Sequence, residues 1–414
     1  MSSVDTLVIG AGQAGLAMSR CLTDAAVDHV VLDRGRLGER WRSERWDSLR
    51  LLTPNWATRL PGWSYTGDDP HGFMRAGELV EYFERYAASF GAPVIEDSPV
   101  TALRRTDEGF VVHTEDSSWR AERVVLATGW CDQPRIPTLA NRLATTFTQV
   151  TPSSYRSPGQ LPAGAVVVVG ASASGVQIAD ELAAAGRDVV LAVGRHSRVP
   201  RRYRGLDIWW WMDQLGTFAK TIDKVSDVER ARREGSLQLV GRSDHRDVDL
   251  PTLQARGVTL AGRLVGIDGA RARFADDLPA TTADAGDRLQ RILGDIDRYI
   301  ATSGLENEVL PAAPIASITH GNEPRQLDLR SRDVSTVVWA TGFTRPYPWL
   351  HVPVLDRAGE IHQRRGLTPV PGLYVLGQRF QHRRDSNFID GVRHDAAYVA
   401  ELICRGRQPA RLAS

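Results

Sequence analysis

The chain has 414 residues, with 51 Lys plus Arg against 50 Asp plus Glu, 42% apolar and 24% charged residues. That length predicts two to three domains with ordinary cores, and the net charge of +1 removes a global drive toward nucleic acid or anionic membrane. No apolar run is long enough to span a membrane, and Cys21, Cys131 and Cys404 lie scattered without a CxxC, which argues against a disulfide framework, a zinc site or a dithiol redox centre.

The N-terminus runs directly into a strand over Val4 to Ile9, with no basic and apolar leader, which predicts a cytoplasmic protein. Gly10-Ala11-Gly12-Gln13-Ala14-Gly15 follows, then a helix over Leu16 to Ala25 and a strand over His29 to Leu32 that ends on Asp33. In such a turn the first glycine permits a tight bend, the second lets backbone approach a pyrophosphate, and the third allows close helix packing. The helix N-terminus then faces the anion, and Asp33, eighteen residues after Gly15, can accept from ribose hydroxyls. A strand over Val124 to Leu126 runs into Ala127-Thr128-Gly129, and a Pro-rich linker covers Pro152 to Pro162.

A second unit repeats the first. A strand over Ala165 to Val169 leads into Gly170-Ala171-Ser172-Ala173-Ser174-Gly175, a helix over Val176 to Ala185 closed by Gly186, and a strand over Asp188 to Val193. Both units have the continuous β-branched strands of a parallel sheet covered on both faces. No acid ends the last strand; Arg195, His196 and Arg198 follow it, with Arg201, Arg202 and Arg204 beyond. Guanidinium groups bind a 2′-phosphate that a carboxylate would repel, so this unit reads as taking NADPH rather than NADH, a solvated basic loop being the plainer alternative.

Further on, Trp209-Trp210-Trp211 cannot all enter one core, so at least one indole is expected at a cleft or interface. Leu289, Ile292, Leu293, Ile296 and Ile300 share a helical face within residues 283–304. Val337 to Trp339 runs into Ala340-Thr341-Gly342, echoing the earlier Ala-Thr-Gly, and Gly372 to Gly377 reads as a strand rejoining the first domain. The predicted fold is α/β with two Rossmann-like dinucleotide-binding domains. FAD would occupy a discontinuous domain over residues 1–157 and 331–414. NADP would occupy an inserted domain over 158–330 that carries a helical insert. All but Lys220 and Lys224 of the cations are arginine, which reads as genomic composition except where the arginines cluster.

These motifs, with Gly38-Glu-Arg-Trp-Arg42 and Ser48-Leu-Arg-Leu-Leu-Thr-Pro-Asn55, resemble the flavin-containing monooxygenase-like (class B flavoprotein monooxygenase) group of two-dinucleotide-domain flavoproteins. The resemblance implies that Asp33, Arg34, Arg40 and Trp41 contact FAD, that Val100 presents backbone to the adenine, and that Thr128 and Gly129 line the pyrophosphate. It implies further flavin contacts from Gly377 and Gln378 in the last strand, and from Asn387 and Phe388, which with Asp390 approach the pyrimidine edge or simply cap a helix. Ser172, Ser174, Thr341 and Gly342 would join Gly170, Gly175, Arg195, His196, Arg198 and Arg202 around NADP. Asn55 would position the nicotinamide beside the flavin, as the one candidate catalytic residue, or serve as a turn residue after Pro54.

The implied activity is NADPH-dependent oxidation of a small organic substrate by molecular oxygen: N- or S-oxidation, hydroxylation or Baeyer–Villiger chemistry through C4a-(hydro)peroxyflavin. No metal site is expected, and oligomeric state is open. One departure stands out. The group's FxGxxxHxxx(W/Y) fingerprint should fall at Phe147 to Arg156, where Gln149 replaces the glycine and the histidine is missing. That keeps open an NAD(P)H-dependent flavoprotein reductase or oxidase that forms no lasting peroxyflavin.

Overall fold

The computed structural model describes residues 1–232 and 234–407. Strand β1 (Ser2–Ile9) turns through Gly10 into helix α1 (Gln13–Asp24) and returns as β2 (His29–Leu32), parallel to β1 in register Val8↔Val31. A hairpin of Val100–Thr106 and Gly109–Thr114 leads into β3 (Ser118–Leu126). The start of β3 pairs with that hairpin, while its full length runs parallel to β1. Leu7, Val8, Val124 and Val125 are fully buried, as expected of strands covered on both faces.

The second unit begins with the short β4 (Thr148–Val150), followed by β5 (Ala165–Val169), α2 (Ala173–Ala184) and β6 (Val189–Ala192). After α3 (Ile208–Gln214), β7 (Thr259–Ala261), the long α4 (Leu278–Ser303) and β8 (Val334–Trp339), its five-stranded parallel sheet has the order β4-β8-β5-β6-β7. The chain then returns: β9 (Leu373–Val375) pairs with β3 in register Leu373↔Val124, and α5 (Val392–Arg407) packs on α1. One nucleotide-binding unit is therefore interrupted by the other, as the repeated motifs anticipate.

The strand pairing departs from the expected boundaries in two places. Both Thr148–Val150 and Val334–Trp339 lie outside 158–330, yet both belong to the second sheet. A buried apolar run carries no label for the sheet it joins, because both sheets ask for the same β-branched pattern. The Ala-Thr-Gly echo has a structural basis all the same. β3 lies beside β1 and β8 beside β5, so each Ala-Thr-Gly abuts the glycine turn of its own unit. A Cβ on Gly10 would fall 2.5 Å from the Ala127 carbonyl oxygen, and one on Gly170 would overlap that of Ala340.

Candidate dinucleotide sites and the cleft between them

At the first turn, α1 begins after Gly12 with no side-chain cap, which leaves first-turn N–H groups free to meet an anion. No protein atom lies within 4 Å of where a Gly12 side chain would start, so the turn offers an open ledge. Gly15, by contrast, has no room, because a Cβ there would overlap the carbonyl of Gly10. Asp33 sits at the end of β2 and accepts from the N–H of Ala11 (2.6 Å) and Gly35 (3.0 Å). Burial pushes its carboxyl pKa up, and those two N–H groups with Arg34 and Arg40 pull it back.

Arg34 and Arg40 converge on Asp132, Arg34 at 3.2 Å, and Arg40 also donates to the Cys131 carbonyl. They therefore tie the segment after β2 to the loop containing Thr128 and Gly129, which bends at a Gly129 φ of +80°. Trp41 is half-buried beneath the Arg45 guanidinium, 5.1 Å away. Val100 opens the hairpin strand of the same sheet. Gly377, just past β9, comes so close to α1 that a Cβ would stand 3.0 Å from Ala14. Gln378 Nε2 and Asn387 Oδ1 are buried without a partner. Gln378 adjoins Gly377 and hence α1, and an orphaned polar atom there fits a polar ligand laid across the turn.

The second turn repeats the construction. α2 begins after Ser172, again without a side-chain cap, and Gly175 is packed against the Gly170 carbonyl. Ser174 lies half-buried in the first turn of α2. Thr341 and Gly342 are held by Arg135, which donates to the Thr341 carbonyl at 3.1 Å and accepts at its own carbonyl from the Thr341 hydroxyl.

The basic segment after β6 does not act as one cluster. Arg195 is exposed. His196 is buried with Nδ1 3.0 Å from the Gly194 carbonyl and Nε2 unpartnered, and burial drives its pKa down, so the ring is neutral at pH 7. Arg198 pairs with Asp249 at 2.7 Å and donates to the Ala316 carbonyl. Arg201 is buried and bound to Asp207 and the Leu52 carbonyl, while Arg202 sits exposed on the hairpin Arg202–Tyr203/Leu206–Asp207. Arg288, which sequence reasoning missed, instead reaches this loop from α4 and donates to the His196 carbonyl at 2.6 Å.

Between the two turns, the segment from Arg201 to Gly241 crosses back onto the first unit. The Ile222 N–H meets the His382 carbonyl at 2.7 Å, and the Arg384 N–H meets the Lys220 carbonyl at 3.0 Å. Trp209 stacks on Phe218 (4.5 Å) and Phe388 (5.6 Å), which places one of the three indoles against the first unit as expected. Trp211 is fully buried and donates to the Tyr203 carbonyl, with Trp210 edge-on beside it. Trp130, just past the first Ala-Thr-Gly, lies under Arg345 (3.5 Å) and near Arg379 (5.9 Å).

Asn55 is tied into its own loop. Its Nδ2 donates to the Asp69 carbonyl (2.9 Å) and its Oδ1 accepts from the Met74 N–H (2.8 Å), so the amide closes the 55–74 loop. Asp390 is bound by Arg59 through both oxygens (2.8 Å each) and by Arg393, and so anchors the start of α5. In the degenerate fingerprint, Gln149 accepts from the Trp339 indole (2.8 Å) and Tyr155 donates to Glu181 (3.0 Å), both structural roles. Among the described residues no cluster of three His, Cys, Asp or Glu could hold a metal, and no helix is long and apolar enough to cross a membrane.

With this geometry in place, the chain can be compared with known proteins. Residues 7–223 match the family described as pyridine nucleotide-disulphide oxidoreductase. A CzcO-like oxidoreductase from Geobacillus kaustophilus is 34% identical over 403 residues, covering 97% of this chain and 98% of its own. The indole-3-pyruvate monooxygenase YUCCA1 of rice is 32% identical over 212 residues, covering 48% of this chain and 50% of its own. Among solved structures, a flavin-containing monooxygenase from Stenotrophomonas maltophilia superposes with a TM-score of 0.68 at 18% identity, over 98% of this chain and 99% of that one.

Proposed function

The chain belongs to the pyridine nucleotide-disulphide oxidoreductase family, and from that premise we propose that it is an NADPH-dependent, FAD-containing monooxygenase acting on a small organic substrate. The observation that carries this reading is the pair of uncapped helix N-termini, α1 and α2, each opening on a glycine turn of a separate parallel sheet. Two such anion sites in one chain call for two dinucleotides.

In the first site, Gly12 and the α1 amides would receive the FAD pyrophosphate, and the free lone pairs of Asp33 would accept from ribose. Arg40 and Trp41 flank that path, and Val100 offers backbone toward the adenine. Gln378 and Asn387, whose buried amide atoms lack protein partners, would hydrogen-bond the polar groups of the flavin half. In the second site, Ser172, Ser174 and the α2 amides would hold the NADPH pyrophosphate, with Arg195 at the 2′-phosphate. Held there, FAD would supply the redox chemistry, as acceptor of hydride from NADPH and donor of electrons to dioxygen.

The chain's own contribution is to align the two nucleotides and to keep water out. The aromatic wall of Trp209, Phe218 and Phe388 closes the seam between the units, and a dry site strengthens every polar contact made inside it. Substrate oxidation is thus assigned to the covered cleft rather than to an acid–base side chain.

The test is NADPH oxidation by the FAD-loaded protein under ¹⁸O₂ with a panel of sulfides, amines and ketones. Substrate-stimulated consumption with one labelled oxygen in the product is expected. Electrons delivered wholly to hydrogen peroxide, with no labelled product, would replace this reading with the second one, a reductase or oxidase using the same cofactors. That alternative is favoured by one observation: the fingerprint segment lacks its histidine, and Gln149 is committed to Trp339.

A further inference from the structure

We propose that Arg288, on α4, is the second guanidinium of the 2′-phosphate subsite, so that selection of NADPH over NADH is shared between the loop after β6 and a helix outside the nucleotide-binding unit proper. This rests on the reading above that NADPH occupies the second site.

The placement follows from packing. Leu289, Leu293, Ile296 and Ile300 are buried against the cluster that contains Val199, Ile208 and Trp211. That fixes the rotation of α4 about its axis. Arg288, next to Leu289, is then aimed at the loop after β6, where its Nη2 donates to the His196 carbonyl at 2.6 Å. A guanidinium has five N–H donors. The Nε of Arg288 is buried with no partner, which leaves donors directed into the loop without an acceptor.

Burial depresses the Arg288 pKa first of all, and the charges of Arg195 and, more weakly, Arg291 add to that. Asp284 and Glu234 also face Arg288 and oppose that shift. Neither forms an ion pair with it among the described residues, and Glu234 is bound to Arg384. Arg288 is thus hydrogen-bonded to the residue that follows Arg195, and among the described residues no carboxylate pairs with either guanidinium. Such an arrangement is unfavourable until an anion bridges it, and phosphate accepts from two guanidinium forks at once.

The location also suits the nucleotide. A dinucleotide in this fold runs from the helix N-terminus toward the end of the second strand. A Cβ on Gly235 would meet the Ser172 hydroxyl at 2.7 Å and the Arg195 carbonyl at 3.9 Å. The segment at Gly235 thus spans from the pyrophosphate turn to Arg195, and Arg288 is bonded to the next residue along, His196.

The experiment uses the FAD-loaded protein and two probes, 2′,5′-ADP and 5′-AMP, titrated calorimetrically into the parent, Arg195→Gln, Arg288→Gln and Arg288→Lys. The parent should prefer 2′,5′-ADP. Arg288→Gln should weaken 2′,5′-ADP by roughly 10- to 100-fold, the range for a lost charge-assisted hydrogen bond, and leave 5′-AMP unchanged. Arg288→Lys, which keeps the charge without the fork, should fall between them and serves if the Gln variant does not fold. If Arg195→Gln removes the preference while both Arg288 variants keep it, the role of Arg288 is overturned and the NADPH reading stands. Equal weakening of both probes would show that Arg288 only supports the loop, which also overturns the proposal. A parent with no preference for 2′,5′-ADP would overturn the NADPH reading itself.

Discussion

Single residues show most sharply where local chemistry and tertiary context part company. Asn55 follows Pro54 in a motif shared with flavoprotein monooxygenases, yet its amide partners, Asp69 and Met74, come 14 and 19 residues later in the chain. No local pattern could announce them. Asn55→Ala should therefore cost about 2–3 kcal/mol in chemical unfolding, for two lost buried hydrogen bonds, with KM for NADPH unchanged; a kinetic loss without a stability loss would restore the catalytic role. Arg198 lies in the basic run after β6, and its partner Asp249 is 51 residues away.

Asp395 in α5 is a residue no motif marks. Burial pushes its carboxyl up to about 6, aided by Asp385 and opposed by the Ser386 hydroxyl, Arg383 and Arg365. Because the folded value lies above the unfolded one, its contribution to stability is fully present below about pH 4. That contribution is lost as pH rises toward 6. Asp395→Asn should thus be more stable than the parent at pH 8, by up to about 3 kcal/mol, and lose the advantage at pH 4. Urea melts at the two pH values decide this, and an advantage independent of pH would refute the assignment.

At the scale of elements, the glycine turns were fully legible, because their requirement is steric and local. Two of the three glycines of the first turn, Gly12 and Gly15, nonetheless do different work. Gly12 has an extended backbone (φ −86°, ψ −169°) and open space around it. Gly12→Ala should therefore fold normally yet purify with little bound flavin. Gly15→Ala must displace the turn itself and should lower the melting temperature even of the flavin-free protein. Flavin-to-protein absorbance and thermal melts separate the two; identical behaviour would contradict the division of roles. The amphipathic face of α4 was largely legible: Leu289, Leu293, Ile296 and Ile300 are buried, Ile292 is half-buried, and Leu278 and Ala285 extend the buried face toward the N-terminus. What that face packs against, and hence where Arg288 points, was not. Nor was the allegiance of β4 and β8, since an apolar strand fits either sheet.

At the scale of the whole molecule, the crossing segment ties the second unit to the first. It is fastened by Arg201 to the Leu52 carbonyl, by Ile222 and Lys220 to the His382–Arg384 loop, and by Glu234 to Arg384. The Glu234–Arg384 pair is partly exposed and so worth about 1 kcal/mol or less. Glu234→Ala should leave the global melting temperature nearly unchanged while hastening proteolysis within residues 218–241, in a protein whose remaining ties hold. A large fall in melting temperature would mean that the segment is part of the core rather than a fastened cover.

The sequence by itself determined the two glycine turns, the strands and helices flanking them, the interruption of one unit by the other, and the family. These depend on backbone sterics and on periodicities read within thirty residues. Only the tertiary structure decided that Asn55 closes a loop, that Arg198 pairs with Asp249, that β4 and β8 join the second sheet, and that Arg288 reaches the loop after β6. Each of those depends on a partner far along the chain, brought near by packing that no local pattern encodes.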